Sequence, residues 1–306
     1  MLLGDFHIHT TWSDGRHSLP EVVDLFGRSG HDVIAITDHV VNSDSFLGKA
    51  AHRLRLSVTK ERWDAYRAEV EHEARRAWDT YRMIVLPGAE LTRNGFTGKG
   101  SAHALALGLD DFVSADGRVE EMLTRARDEG AVTVACHPNE QSDWFANTFY
   151  LWNRKDEVQG LVHLWELACR WDLFPEVGKA GFAFLGNSDF HRAPHLWAWK
   201  TLLDCEKSPE AVLSALRKGK GLEGRVDLEA DMGDGAWRGE WSAERFPLDE
   251  WPDGRASGIR GELAEGAGTV ESVDGGLEVT GTLAGSPVSW LGMEAASWSL
   301  TGVRGA

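Results

Sequence analysis

The chain has 306 residues, 42% of them hydrophobic and 26% charged, with a formal net charge of −16. That size leaves room for one large α/β domain with a small appendage, or for two ordinary domains, and the balance is that of a soluble globular protein. The acidic excess weighs against a long polyanion as partner, and the apolar runs, five or six residues long, exclude a bilayer-spanning segment.

Residues 2–14, LLGDFHIHTTWSD, open the chain as a short apolar strand that ends in metal-liking side chains. Alternate residues of a strand share a face, so His7 and His9 project together, and Asp14 follows after a turn-like stretch. Two imidazoles and a carboxylate suit a divalent cation. A strand so close to Met1 leaves no room for a signal peptide, and a cytoplasmic location is expected. Ser18 caps a helix predicted from Leu19, with Pro20 in its first turn, Val22, Val23, Leu25 and Phe26 on its apolar face, and Gly30 at its end. Residues 31–39, HDVIAITDH, form the continuous apolar run of a buried parallel strand and again close on Asp-His.

Residues 57–80 predict one long amphipathic helix with Trp63, Tyr66, Val70, Ala74 and Trp78 on its inner side. His72, between Glu71 and Glu73, reads as a solvated helix residue. A third strand, 82–91, closes on Glu90, and after a glycine-rich connection a fourth, 101–109, carries His103. A helix over about 119–129 precedes a fifth strand, 131–138, which ends in His137. A sixth strand, 160–167, and a seventh, 181–189, follow, and Asp189 with His191 repeats the two-residue spacing of the opening HIH. Cys136, Cys169 and Cys205, odd in number and outside any CxxC pair, read as small buried hydrophobes. A final helix, 208–218, has Ser208 as its cap and stops at Gly219 and Gly221. From Leu222 to Ala306 sixteen Asp and Glu stand against six Arg and no Lys, a net of −10, and alternation appears in LEVTGTL and VSWLGM. Two regions are therefore expected, 1–221 and a small β-rich acidic extension, 222–306.

Seven apolar strands, six of them closing on or near an acid or a histidine, predict a (β/α)-type barrel, whose strand ends share one rim. His7, His9, Asp14, His39, Glu90, His103, His137, Asp189 and His191 would then meet at one site. A single histidine on an apolar strand is usually a hydrogen-bonded core residue. Nine ligand-type residues, among them six of the twelve histidines, are costly to bury together unless cations pair them.

HIHTTWSDG, ITDH, GAEL, the His of SAHALALGL, CHP and NSDFH, in that order, resemble the PHP (polymerase and histidinol phosphatase) family over about residues 1–221. The resemblance implies an α/β fold, a distorted seven-stranded (β/α)7 TIM-like barrel, that hydrolyses phosphate esters with two or three divalent metals. Manganese, iron or zinc fits the mixture of imidazole and carboxylate, and some members use magnesium. By the same resemblance His7, His9, Glu90 and Asp189 would hold one metal, Glu90 would bridge to a second on His103 and His137, and Asp14, His39 and His191 would hold a third. Cations so placed lower the pKa of a bridging water, clamp phosphoryl oxygens and stabilise the leaving oxygen, so no protein nucleophile is required. The chain agrees, with no G-x-S-x-G and no Cys beside a plausible base.

Asp14, Glu90 and His191 thereby enter the catalytic set. His17, just after Asp14, is either a leaving-group contact or a solvated turn residue. Arg192, Arg93 and Lys99 are candidate phosphate contacts, and Glu166, ending the sixth strand, is grouped with them as a polar site residue that either meets the substrate or orients a ligand. Asp38 either orients an imidazole or caps the turn that follows it. Of Trp165, Trp171, Trp197 and Trp199, one could stack on a base or ring.

The expected activity is hydrolysis of a small phosphomonoester of a nucleotide, sugar or amino alcohol by a bridging hydroxide. The alternatives are a phosphodiesterase or nuclease, disfavoured by the charge and by the lack of a basic stripe, and a non-catalytic metal-stabilised binding protein. Carbon–nitrogen hydrolysis on a similar barrel is a further one, for which no strand-end lysine is present. The expected partner is a small phosphorylated substrate, with neither nucleic acid nor membrane.

Overall fold

The computed structural model describes residues 1–95, 100–138 and 148–219, together with the backbones of the strands 238–247, 259–260, 262–273, 276–290 and 293–301. Their contacts divide the chain into two compact units, Met1–Leu222 and Glu223–Ala306.

The first unit runs β1 (Leu2–Asp5), α1 (Leu19–Arg28), β2 (Val33–Ile36), β3 (His39–Val41), α2 (Phe46–Arg53), α3 (Lys60–Tyr81), β4 (Ile84–Arg93), β5 (Ala102–Leu107) and α4 (Val119–Asp128). It continues with β6 (Val132–Ala135), α5 (Phe149–Asn153), α6 (Lys155–Val158), β7 (Leu164–Cys169), β8 (Asp172–Leu173), α7 (Pro175–Lys179), β9 (Phe184–Asn187), a 3-10 turn (Ala193–Trp197), β10 (Thr201–Leu203) and α8 (Pro209–Arg217). The sheet curls in the order β10-β1-β2-β4-β5-β6-β7, with β9 beside β7 and β3 beside β4. Beyond β9 the chain returns to the extension of β1: His9 N–H donates to the Phe190 carbonyl at 2.8 Å and Phe190 N–H to the His7 carbonyl at 3.0 Å.

β1, β2 and β4 are mutually parallel, as are β6, β7 and β9, but β5 is antiparallel to both its neighbours. The regular strand–helix repeat expected from the sequence therefore breaks at this strand. Only residues 94–101 separate β4 from β5, and a connection that short allows an antiparallel return, whereas a parallel crossover needs a dozen residues or more. His103 consequently stands near the start of its strand rather than at its end, and the reversal is what brings it to the common rim. The run 31–39 is also two strands, β2 and β3, both paired to β4.

Capping follows the sequence. Glu21 accepts from Ser18 N–H and Oγ–H, both at 2.8 Å, at the start of α1, and Gly30 follows that helix at φ +83°, where a Cβ would be penalised. The long helix α3 is rotated from its expected face. Trp63, Tyr66, Val70, Glu73 and Ala77 are buried, while Trp78, expected inside, is 41% exposed. Glu73 tolerates burial because Arg76 pairs with it at 2.6 Å and also reaches Asp24 at 2.7 Å. The core is filled by Phe6, Phe26, Ile34, Ile36, Leu86, Leu105 and Trp165. Cys136 and Cys169 lie in it as free thiols, and Cys205 is half-buried. His72 is exposed, as expected of a solvated helix residue. Among the described residues no helix is long and apolar enough to cross a membrane.

The second unit is a five-stranded antiparallel sheet of β11 (Arg238–Pro247), β12 (Ile259–Arg260), β13 (Glu262–Val273), β14 (Gly276–Trp290) and β15 (Met293–Thr301). Its order is β11-β13-β14-β12, with β15 also paired to β14. The alternating stretch LEVTGTL lies on β14 and pairs in register with β13, Val279 opposite Val270 and Thr280 opposite Thr269.

Candidate metal centre

Strand alternation sets the first two residues. Ile8, bridged to Phe190, is fully buried in the core, so His7 and His9 turn together to the opposite face. β4 brings up Glu90, directly opposite His39 of β3 in the ladder. Glu90 is the hub of the site. Its Oε2 lies 3.5 Å from His7 Nε2, 3.4 Å from His9 Nε2 and 2.7 Å from His39 Nδ1, and its Oε1 lies 2.9 Å from His103 Nδ1 and 3.6 Å from His137 Nε2. Asp189 Oδ1 lies 3.3 to 3.5 Å from nitrogens of His7, His9 and His191.

Asp14 is presented by a tight turn. Buried Asp38 accepts from Thr10 N–H and Oγ1–H, both at 2.8 Å, and from Ser13 Oγ–H at 2.6 Å. Asp38 thus neither orients an imidazole nor caps the turn that follows it, as the sequence suggested, but braces the distant turn 10–13. A Cβ on Gly15 would stand 2.4 Å from the His9 carbonyl oxygen, so only glycine lets the turn fold back there. Asp14 then lies 3.6 Å from His39 Nε2, 3.3 Å from His191 Nε2 and 3.7 Å from His9 Nδ1. Asp189 and His137 both hold positive φ, +44° and +24°, in the left-handed region costly to residues with a Cβ.

All nine expected ligands therefore converge. Groups of their side chains offer nitrogen or oxygen atoms within 4.8 Å of one another: His9, Asp14, His39 and His191; His7, Glu90 and His137; His7, His9 and Asp189. The donor set fits cations: of the twelve described side-chain atoms that are buried without a hydrogen-bond partner, six belong to the cluster, His7 Nε2, both ring nitrogens of His9, both oxygens of Glu90 and His103 Nδ1. Leaving so many orphaned atoms is costly unless an ion satisfies them. The ring nitrogen turned away from Glu90 is held in three imidazoles, His7 Nδ1 by Glu166 at 2.8 Å, His103 Nε2 by Asn94 at 3.1 Å and His137 Nδ1 by Thr148 at 3.1 Å, while His39 Nδ1 lies 2.7 Å from both Glu90 and Thr92 and leaves its Nε2 toward Asp14. That orientation of imidazoles is the habit of metal ligands.

The electrostatics agree. Burial opposes ionisation of Asp14, Glu90 and Asp189, but the surrounding imidazoles outweigh it and hold all three below the usual carboxylate range. Burial likewise opposes protonation of His7, His39 and His191, and the same carboxylates raise all three above the ordinary imidazole value. His9, buried and beside His191 and His39, is pushed down to about 3.

The remaining sequence candidates scatter. Glu166, grouped with substrate contacts, is fully buried: its oxygens take His7 Nδ1, the His137 N–H at 2.7 Å and the Asn187 side-chain N–H at 2.8 Å. It orients ligands and does not face the opening. Arg93 is bound to Asp44 at 3.0 Å. His17 packs half-buried against Phe190, ring centroids 5.9 Å apart. Lys99 lies outside the described residues. Arg192 is exposed, and its Nε–H donates to His195 Nε2 at 3.1 Å. Two residues escaped sequence reading, Arg170, which pairs with Asp189 Oδ2, and His195, whose Nδ1 is 3.2 Å from the Asp189 carbonyl. Neither falls on a strand end of the expected pattern: the sixth strand expected over 160–167 stops short of Arg170, which directly follows β7 in the structure.

No family model matches the chain. The DNA polymerase/3'-5' exonuclease PolX of Bacillus subtilis is 38% identical over 88 residues, which make up 29% of this chain and only 15% of that protein. Among solved structures, a two-domain protein from Bacteroides vulgatus, described as containing a predicted PHP-like metal-dependent phosphoesterase, aligns with a TM-score of 0.52 at 17% identity, covering 98% of this chain and 94% of that one. An amidohydrolase from Chromobacterium violaceum aligns with a TM-score of 0.45 at 14% identity, over 72% of this chain and 97% of that one. The likeness to the Bacteroides protein is one of fold: this chain has a PHP-like fold.

Proposed function

We propose that this PHP-like chain is a metal-dependent phosphoesterase acting on a small phosphate ester, with the phosphomonoester of a nucleotide, sugar or amino alcohol as its substrate. The observation that carries the reading is the ring of buried, unpartnered nitrogen and oxygen atoms around Glu90. His7, His9, Glu90 and Asp189 would hold one divalent ion, Glu90, His103 and His137 a second, and Asp14, His39 and His191, with His9 beside them, a third. Manganese, iron or zinc suits these donors. Such ions supply an activated water and neutralise developing charge on a phosphoryl group.

The chain's own part is positioning. Glu166 fixes the ring of His7, Asp38 fixes the turn that carries Asp14, and Arg170 holds Asp189 from the outside. Arg192, exposed and next to His191 in the chain, would meet an anionic group of the substrate. The first unit carries this chemistry, and cytoplasm is the setting that suits its free thiols. An oligonucleotide is the alternative ester, suggested by the exonuclease name of the Bacillus relative, and the net charge of −16 weighs against a long polyanion.

The test is phosphate release from nucleoside, sugar and amino-acid phosphates and from bis(p-nitrophenyl) phosphate, with manganese, zinc or no added metal, beside His7→Ala. Release from one monoester class that needs metal and vanishes in the variant is the expected result. Cleavage of the diester alone would move the reading to a phosphodiesterase, and silence across the panel with metal bound would overturn it.

A further inference from the structure

Of the four tryptophans the sequence groups near the sixth and seventh strands, the structure separates one from the rest. Trp165 is core: it is 2% exposed and stacks on Phe182 at 5.0 Å between centroids. Trp171, Trp197 and Trp199 are 59%, 71% and 47% exposed. Trp171 alone of these three has a described ring contact leading to the metal centre. Its indole meets His195 edge-on at 6.4 Å, and His195 lies 6.2 Å from the ring of His191.

Its backbone setting is unusual. Cys169 pairs with Asp172, so Arg170 and Trp171 form the two-residue tip of the β7–β8 hairpin. Tight tips of this kind favour glycine or asparagine where φ is positive, yet Arg170 occupies that place at φ +54°. Two large side chains thus stand where small ones turn most easily. One of them grips Asp189, a candidate ligand, and the other leaves a broad apolar face in solvent. A strained tip whose one side chain holds a candidate ligand, while the other is an exposed indole linked to His191 through His195, fits a ligand clamp better than packing.

We propose that Trp171 is the specificity-determining residue of this site, a stacking platform for a planar aromatic or heteroaromatic ring in the alcohol portion of the phosphate ester. This deepens the phosphoesterase reading and rests on it for where the phosphoryl group lies. Arg170 anchors the hairpin tip to Asp189, which sets the indole at a constant distance from the phosphoryl position. Rings bind because every planar heterocycle offers a π face to an indole, without need of specific hydrogen bonds.

The experiment compares two hydrolysis-resistant probes, benzylphosphonate and ethylphosphonate, binding by calorimetry to the metal-loaded full chain and to Trp171→Ala, Trp171→Phe and Trp197→Ala. The wild-type protein is expected to bind the benzyl probe about tenfold more tightly, a typical return for one aromatic stack. Trp171→Ala should erase that preference while leaving ethylphosphonate affinity unchanged, Trp171→Phe should retain most of it, and Trp197→Ala all of it. Equal weakening of both probes in Trp171→Ala, or an unchanged preference, would overturn the assignment. Ring-dependent binding in a protein that cleaves no ester would instead remove the phosphoesterase reading and leave the ring platform standing.

Discussion

The two halves of the metal centre are built differently. On the inner side His7, Glu90 and Glu166 have no more than 1% of their side chains exposed, and their hydrogen bonds stay within the barrel wall. On the outer side Asp14 is 35% exposed, His191 20% and His39 14%, and Asp14 rides on a turn rather than on a strand. In the inner half the strands hold each ligand from behind, and Glu166 also fixes the far ring nitrogen of His7. The outer half is open, so its ion should exchange first and the substrate should arrive there.

Removing the hub should have the largest effect. Glu90→Gln keeps the volume but removes a charge shared by five imidazoles, and is expected to lower kcat/KM by more than the roughly 100-fold typical of an orienting residue. Elemental analysis should show more than one metal lost per chain. If both halves kept their metal, the hub assignment would be wrong. Glu166→Gln tests the inner half indirectly, with an expected loss of about 10- to 100-fold in metal affinity and a thermal unfolding midpoint that falls mainly for the metal-loaded form.

Asp14→Ala probes the outer half. One metal per chain should be lost while the inner ions stay, and the fold should survive, since Asp14 is a turn residue with its side chain partly in water. A loss of all metal in this variant would erase the distinction between the halves.

A pH effect follows from the same geometry. His39 and His191, raised above the ordinary imidazole value by Asp14, Glu90 and Asp189, hold their protons more tightly than free imidazoles in the metal-free chain. Cation uptake must displace them, so affinity should rise with pH and metal titration should release protons, measurable as a dependence of the calorimetric heat on the buffer. For the metal-free fold the signs run both ways. Stability from the raised histidines is present below the ordinary imidazole value and lost as pH rises through their folded values. Stability from the depressed carboxylates Asp14, Glu90 and Asp189 is present above the ordinary carboxylate value and lost as pH falls. Metal-free protein should therefore be most stable between those limits.

The smallest effect is expected from His17→Ala, within about twofold in kcat/KM, since its described ring contact is Phe190 and surface changes of this kind are nearly neutral. A tenfold loss with a shifted pH profile would return His17 to the leaving group.

Much of the site was legible in advance because its chemistry is local. Period-two alternation alone turns His7 and His9 to one face, and Glu90, His137 and Asp189 announce themselves by closing apolar runs. Other features are properties of neighbours. Arg93 looked like a phosphate contact until its pairing with Asp44, and of the two roles open to Glu166 its bonds to His7 and His137 select the orienting one. The face of α3 shifted to Glu73 and Ala77 because Arg76 satisfies a buried acid, which no hydrophobic count anticipates.

What the sequence by itself determined is the inventory: which residues are ligands in kind, which segments are strands and helices, and where acidity and alternation mark a second region. These depend on residue type and spacing within a few positions of the chain. Only the tertiary structure decided the reversal of β5 that delivers His103, the pairing of Arg170 with Asp189, and the gathering of five imidazoles on one carboxylate. Those are contacts between residues far apart in sequence, set by which strands become neighbours when the sheet curls, and no local pattern records them.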